Sequence, residues 1–296
     1  MIDIFRKLWP FGSSQRDTES SPAMRELVRN LHFELVPMKS IEDAIGALPP
    51  KADVSLTCSP VKGIIATQEY TERLLALGHR PTPHIAARLV ESPVHAKQIA
   101  TWLREQHLSE VFVIAGDATE PAGPYEGSLP FMRDLLDADP GVKRVGFAGY
   151  PDGHAFIDAA ELVEQLHAKQ SLLAAAGVDG WISTQMCFDA DRIREWLTGQ
   201  RAAGLTMPIR LGIPGVVDRT RLMTMGARVG VGTSLRFLSK NRSTVMKLMA
   251  PGGYDPSDLV VALADDATAL GIEALHSFTF NAVADTRKWQ EAILAS

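Results

Sequence analysis

Glu34 stands inside the apolar run His32-Phe33-Glu34-Leu35-Val36-Pro37. A carboxyl group so placed loses the water that favours its charged form, which suits it to hold and donate a proton near neutrality. A structural ion pair is the competing use, with Lys39 or Arg88 as the partner. Further along, short β-rich runs end on other polar groups: Thr57, His84, Asp117, Tyr150 with His154, Gln185 and Asn281, and Pro214 closes one more. Strand ends that merely closed a core would carry Val, Ile or Leu, so acid, hydroxyl, imidazole and amide groups there point to a ligand held at one face. The bland use of the same residues is capping of helices and pairing of loop backbone. Asp117 follows Gly116, which permits close approach of a planar ligand, and the amide of Gln185 can donate and accept toward a heterocycle. Gln185 could equally be tied to a neighbouring loop.

Positioning such groups requires regular elements. Strands are expected at His32 to Val36, Asp53 to Thr57, Thr82 to Ala86, Glu110 to Ala115, Arg144 to Ala148, Gly180 to Thr184, Pro208 to Gly212 and Ala274 to Thr279. Between them lie helical patterns at Thr67 to Leu77, His95 to Gln106, Leu129 to Leu136, Ile157 to Ala175 and Asp189 to Ala203, with a last one at Asp285 to Leu294. Gly78, Gly177 and Gly204 stand where helix stops belong. Eight such units predict an α/β fold, a single (β/α)8 TIM barrel over residues 23–296, with chemistry at the C-terminal strand ends. Residues 1–22 read as a flexible polar lead-in. The stretch from Ile213 to Glu273 exceeds one helix, which predicts an elaborated segment between strands 7 and 8 with helical structure around Thr233 to Met249.

Composition narrows the function. The 296 residues carry 30 Lys+Arg against 35 Asp+Glu, a net charge of −5, so no global basic field exists to hold nucleic acid. Only Cys58 and Cys187 occur, without a Cys/His cluster, which argues against a disulfide framework or a zinc site and for a reducing, cytoplasmic compartment. Met1 to Phe11 makes a poor signal peptide, and no apolar run approaches the roughly 20 residues that cross a bilayer. Walker A, HExxH and GxSxG patterns are missing, no strand end carries the Lys of a Schiff base, and Gly230-Val231-Gly232-Thr233-Ser234-Leu235 ends in Leu where a dinucleotide fingerprint needs Gly or Ala. Arg219, Arg221, Arg228, Arg236, Lys240, Arg242 and Lys247 form a basic island without an acid, either a solvated helix face or a grip for an anionic tail.

Taken in order, the strand-end pieces resemble the methylenetetrahydrofolate reductase family, flavin-dependent barrels of one-carbon metabolism. The pieces are Phe33-Glu34, Val54-Ser55-Leu56-Thr57, Pro83-His84, Gly116-Asp117, Ala148-Gly149-Tyr150-Pro151 with His154, Thr184-Gln185-Met186-Cys187-Phe188-Asp189, Gly212-Ile213-Pro214 and His276-Ser277-Phe278-Thr279-Phe280-Asn281. The resemblance implies an enzyme in which NAD(P)H reduces a bound FAD and hydride then passes to 5,10-methylenetetrahydrofolate, giving 5-methyltetrahydrofolate, or the reverse. Carried over by position, it implies Glu34 as the acid that helps open the five-membered ring, Asp117 as a carboxylate between flavin and pterin, and Gln185 as a folate contact. Thr57, His84, Gly116, Asp117, Tyr150 and His154 would lie on the cofactor and Asn281 on the substrate.

The sequence departs from that family on one side. Ala115 stands where Arg is usual, Leu173 and Leu166 where a Lys and an Asp touch the cofactor, and Ala282 where Arg is usual after the Asn. Lys169 is the nearest substitute for the cofactor cation, and Arg236 for the lost grip on folate. These changes predict weak FAD retention, with FMN or no stably bound flavin as the other outcomes. A tetrahydrofolate-binding barrel that moves a methyl group without hydride chemistry is the alternative. NADH against NADPH, the direction of flux and assembly into a homo-oligomer stay open.

Overall fold

The computed structural model describes residues 20–228 and 254–296. The stretch from Thr233 to Met249 and residue Arg236 lie outside these described residues. Helix α1 (Pro22–Arg29) begins with a proline behind Ser21, whose hydroxyl caps the Met24 amide, and leads into β1 (Leu31–Leu35). There follow α2 (Ile41–Gly46), β2 (Asp53–Leu56), α3 (Gly63–Ala76), β3 (Arg80–Ala86), α4 (Pro93–Glu105), β4 (Glu110–Ile114) and α5 (Ser128–Asp137). After these come β5 (Arg144–Gly149), α6 (Ala159–Ala176), β6 (Asp179–Thr184), α7 (Ala190–Ala202), β7 (Ile209–Pro214) and α8 (Arg219–Arg228). The described chain ends with α9 (Ser257–Ala264), α10 (Ala267–Leu270), β8 (Ile272–Phe278) and α11 (Val283–Ala295). The strands pair in sequence order, all parallel, and β8 closes on β1. This is the α/β barrel expected from the alternation, with α8, α9 and α10 in the segment between β7 and β8.

Parallel strands in a barrel are covered on both faces, so their sequences are apolar runs rather than clean alternations. Val111 and Val113 of β4, Phe33 and Leu35 of β1 and Leu211 of β7 are buried with the apolar sides of the helices. Residues of the opposite parity, such as His32 and Glu34 of β1, Glu110 of β4 and Arg210 of β7, face the axis, and here the fold spends polar groups where many barrels are aliphatic.

At the N-terminal end of the barrel the axis is filled by an ionic plug. Arg210 Nη2 donates to Glu110 at 2.7 Å, Arg144 Nη1 to the same oxygen at 3.2 Å, and Arg144 Nη2 to Glu273 at 2.7 Å. Both guanidiniums stack on Trp181, Arg210 at 4.2 Å and Arg144 at 5.3 Å from the ring centroid. Gly146 makes this possible, since a Cβ there would lie 2.2 Å from the Trp181 ring. Burial pushes the Glu110 carboxyl up, yet the hydrogen bond and charge of Arg210, joined by Arg144, outweigh it and hold the group below its ordinary value.

Substituting Glu110→Gln leaves two guanidiniums facing a neutral amide in the barrel floor, and unfolding free energy should fall by about 3 kcal/mol. Urea denaturation followed by circular dichroism measures this, and an unchanged midpoint would show the plug to be dispensable.

Candidate functional site

Glu34 is the fourth of the five residues of β1, at the C-terminal half of the strand, and is 7% exposed. Its Oε2 lies 3.0 Å from Nε2 of His276 on β8, while Nδ1 of the same ring lies 3.4 Å from the Ser55 hydroxyl on β2. The ion-pair partners that the sequence offered are engaged elsewhere or unbridged. Arg88 donates to the carbonyls of Ala118, Thr119 and Glu126, and Lys39 forms no salt bridge among the described residues. An imidazole, not a guanidinium or an ammonium, therefore meets the buried carboxyl.

His84 on β3 packs beside this pair, its ring 6.2 Å from that of His276 and 4.6 Å from that of Phe112. Its Nε2 is sealed from solvent without a hydrogen-bond partner. Burial, and next the proximity of His276, push the His84 pKa well below 6.5. Thr57 follows β2, where its amide donates to Leu35 at 3.0 Å. The Thr57 hydroxyl is likewise buried and unpaired. One pole of the barrel mouth is thus built from β1, β2, β3 and β8 around the carboxyl of Glu34.

A second pole lies across the barrel, since β4 and β5 stand roughly opposite β1 in the closed order. Burial raises the pKa of the Tyr150 hydroxyl after β5, and the charge of Asp117 raises it further, which puts these two groups within electrostatic reach. Asp117 is exposed. The Tyr150 ring meets His154 edge to face at 5.1 Å, and His154 in turn meets Phe156 at 6.0 Å. Phe156 is 94% exposed, so the ladder ends in a flat apolar surface in solvent. Sequence reasoning did not single out Phe156, and its isolation in a polar loop, Gly153-His154-Ala155-Phe156, is the signal that was available.

The third wall is apolar. Met186, Phe188, Val217, Leu222, Tyr254, Phe278 and Phe280 form a cluster separate from the main core, in the segments that follow β6 and β7 and at the end of β8. Met186, Phe188, Phe278 and Phe280 stand in strand-end pieces of the sequence, but only the closure of the barrel gathers the seven. Gln185 enters here with its side-chain oxygen Oε1 accepting from the Met186 backbone amide at 2.8 Å and its own backbone N–H donating to the Gly149 carbonyl at 2.7 Å.

Other sequence candidates have settled partners. Both ends of the Asn281 amide are used, Oδ1 accepting from the Val36 amide and Nδ2 donating to the Val36 carbonyl, each at 2.9 Å, and Nδ2 also reaches Ser40 at 3.2 Å. Gly116 has φ +91°, and a Cβ there would sit 2.8 Å from the Cβ of Ala86. The backbone turn and the neighbouring strand account for the glycine. Lys169 on α6 holds its ammonium 5.2 Å over the Phe147 ring, and burial there lowers its pKa to about 8. Among the described residues no group of His, Cys, Asp and Glu could hold a metal ion, and no helix is long and apolar enough to cross a membrane.

The adenosine-diphosphate half of FAD needs cations or open backbone for its pyrophosphate. At the positions concerned the chain has Ala115, the core residues Leu166 and Leu173 at 5% and 1% exposure, and a lysine folded onto an aromatic ring. This set does not fit that half of the cofactor.

No protein-family profile matches the chain. Over 120 residues, 37% of this chain and 19% of the other protein, it is 29% identical to methylenetetrahydrofolate reductase 2 of Saccharomyces cerevisiae. Over 145 residues, 46% of this chain and 22% of the other protein, it is 29% identical to methylenetetrahydrofolate reductase 1 of Schizosaccharomyces pombe. The matched parts span about a fifth of the length of these relatives. The crystal structure of a Burkholderia cenocepacia protein described as a putative phosphonomutase superposes with a TM-score of 0.48 at 13% identity, over 92% of this chain and 96% of that one.

The buried histidines have a consequence for stability. Burial, together with the charge of Arg210, also pushes His32 well below 6.5. As pH falls the unfolded chain binds protons at these positions before the folded one does, so stability is complete above about pH 6.5 and is lost below it. Each histidine contributes a slope of about 1.4 kcal/mol per pH unit until its folded pKa is passed. Urea midpoints measured from about pH 7.5 down to about pH 5 should fall, and His84→Gln should flatten the slope by about half.

Proposed function

We propose that the chain is an oxidoreductase of the methylenetetrahydrofolate reductase type, acting on a folate-borne one-carbon unit. The observation that carries this reading is the carboxyl of Glu34, buried at the C-terminal mouth of the barrel and met by the His276 imidazole rather than by a lysine or an arginine. The partial similarity to two enzymes bearing that name supports it.

In this reading 5,10-methylenetetrahydrofolate lies across the mouth between the two poles. Glu34 gives its proton to the nitrogen whose bond to the methylene carbon breaks, and that electron pair stays on the nitrogen. The iminium left behind accepts hydride, so that NAD(P)H is oxidised and a methyl group is formed. Asp117, exposed at the opposite rim, supplies a fixed negative charge near the developing cation. The apolar wall of Met186, Phe188 and Phe278 excludes water from one side of the ring system. Gln185, with its oxygen taken by the Met186 amide, is held in one orientation toward the folate. A flavin, if bound, would supply a hydride relay between the two substrates, and the misfit on its adenosine-diphosphate side makes its retention weak.

The purified protein should oxidise NAD(P)H only when 5,10-methylenetetrahydrofolate is added. Glu34→Gln should lower kcat by about 10²-fold to 10⁴-fold while folate binding persists. A Glu34→Gln protein with full turnover would reject the proton donor, and NAD(P)H left unoxidised while a methyl group moves to another acceptor would favour the methyl-transfer alternative. Gel-filtered protein should show no stoichiometric flavin absorption, and a flavin spectrum that survives dialysis would overturn weak retention.

A further inference from the structure

The stretch from His276 to Asn281 grips the exit of β1 at successive points. The His276 ring meets the Glu34 side chain at 3.0 Å. The Thr279 hydroxyl donates to the Glu34 backbone carbonyl, and the Asn281 amide brackets both backbone groups of Val36. All of these groups belong to, or directly follow, one strand, and all act on a segment of three residues. The backbone that delivers them is unusual. Phe280 and Asn281 are consecutive non-glycine residues with φ +47° and φ +64°, a region that L side chains enter at a cost and keep only where the surroundings impose it.

We infer that the His276-x-x-Thr279-x-Asn281 stretch is a positioning device for the Glu34 carboxyl, with His276 the residue that aims it. The inference rests on the reading of Glu34 as the proton donor. His276 is 3% exposed, set edge-on against Phe278 at 4.9 Å and stacked near His84 at 6.2 Å, so its ring has little freedom to turn. It holds Oε2, and no described residue hydrogen-bonds to Oε1, which is left for the substrate. When Glu34 has given up its proton, the Nε2–H form of the imidazole donates to the new carboxylate, and Ser55 can donate to Nδ1 in that tautomer. When Glu34 carries the proton, the other tautomer accepts it. An imidazole can thus serve both states by its choice of tautomer, which a lysine or arginine cannot do. Asn281 belongs to the same device, because its amide is committed to the β1 exit rather than extended toward a ligand.

The test compares His276→Gln, His276→Phe and Asn281→Ala in the full chain, each checked for an intact fold by circular dichroism and thermal midpoint. Glutamine can place an amide N–H near the position of Nε2 and should keep most of kcat, whereas phenylalanine should lose about 10²-fold, the scale on which a misplaced reacting group is felt. Asn281→Ala should lower kcat with little change in the KM for folate. A glutamine variant as slow as the phenylalanine one, or Asn281→Ala raising the folate KM at unchanged kcat, would overturn the proposal. A second readout needs no turnover: the carboxyl band assigned by infrared difference between wild type and Glu34→Gln should shift in His276→Phe and stay in His276→Gln. An unshifted band in both refutes the grip even if the enzyme is active. A shifted band in a protein inert toward folate keeps the grip and discards the reductase reading.

Discussion

A carboxyl group inside a barrel has to be given a partner, and the kind of partner decides what the carboxyl can do. The two ends of this barrel answer differently. At the floor, Glu110 and Glu273 meet guanidiniums at 2.7 Å, and these pairs fix the charge in place. At the mouth, Glu34 meets one imidazole at 3.0 Å. A guanidinium there would bind the carboxylate so firmly that the proton could not be held, while a bare apolar wall would leave the carboxylate too costly to form. An imidazole, which can either donate or accept, lies between these limits. The contrast between an ion-paired end and an imidazole-paired end of the barrel follows from that single choice of side chain.

Much of the framework was legible because it rests on local signals. The run Val111-Phe112-Val113-Ile114, flanked by helical patterns, marks β4 without ambiguity, and the count of such runs predicts the closed barrel. Gly177 ends α6 in the left-handed conformation, as a glycine after a helix should. Short helices were harder to read. The six residues of α2, Ile41–Gly46, carry too few turns for periodicity to show, and α9 and α10, of eight and four residues, are short in the same way.

For the candidate site, residue types at strand ends were legible but the pairing was not. Glu34 stood out as an acid in an apolar run, yet its partner comes from 242 residues further on. Lys39 and Arg88 looked apt because they are basic, but charge alone cannot show that Arg88 is consumed by three loop carbonyls. The strand-end place of Asn281 is visible in the sequence, whereas its bonds to Val36 are not. The ionic plug escaped for the same reason, since Glu110, Arg144, Arg210 and Glu273 sit at strand starts, and only the shared register of the strands brings them onto one axis.

The uneven inventory around the mouth also has a physical order to it. Groups that act on a proton or on a planar ring must be placed within a few tenths of an ångström, and here they are on strands or tied to strand backbone: Glu34, His276, Ser55 and Asn281. Groups that would hold the remote, highly charged part of a dinucleotide act over longer range and come from loops and helix starts. On this chain those places hold Ala115, Leu166 and Leu173, and the one nearby ammonium, that of Lys169, is desolvated against Phe147. Burying leucines there tightens the contact of α6 with the barrel, a gain in apolar area that a cation aimed at solvent would forgo. Changes of this kind leave the strand-borne constellation untouched, because nothing in the grip on Glu34 passes through α6. The surface around α6 and the placement of the Glu34 carboxyl are therefore separable features of this fold.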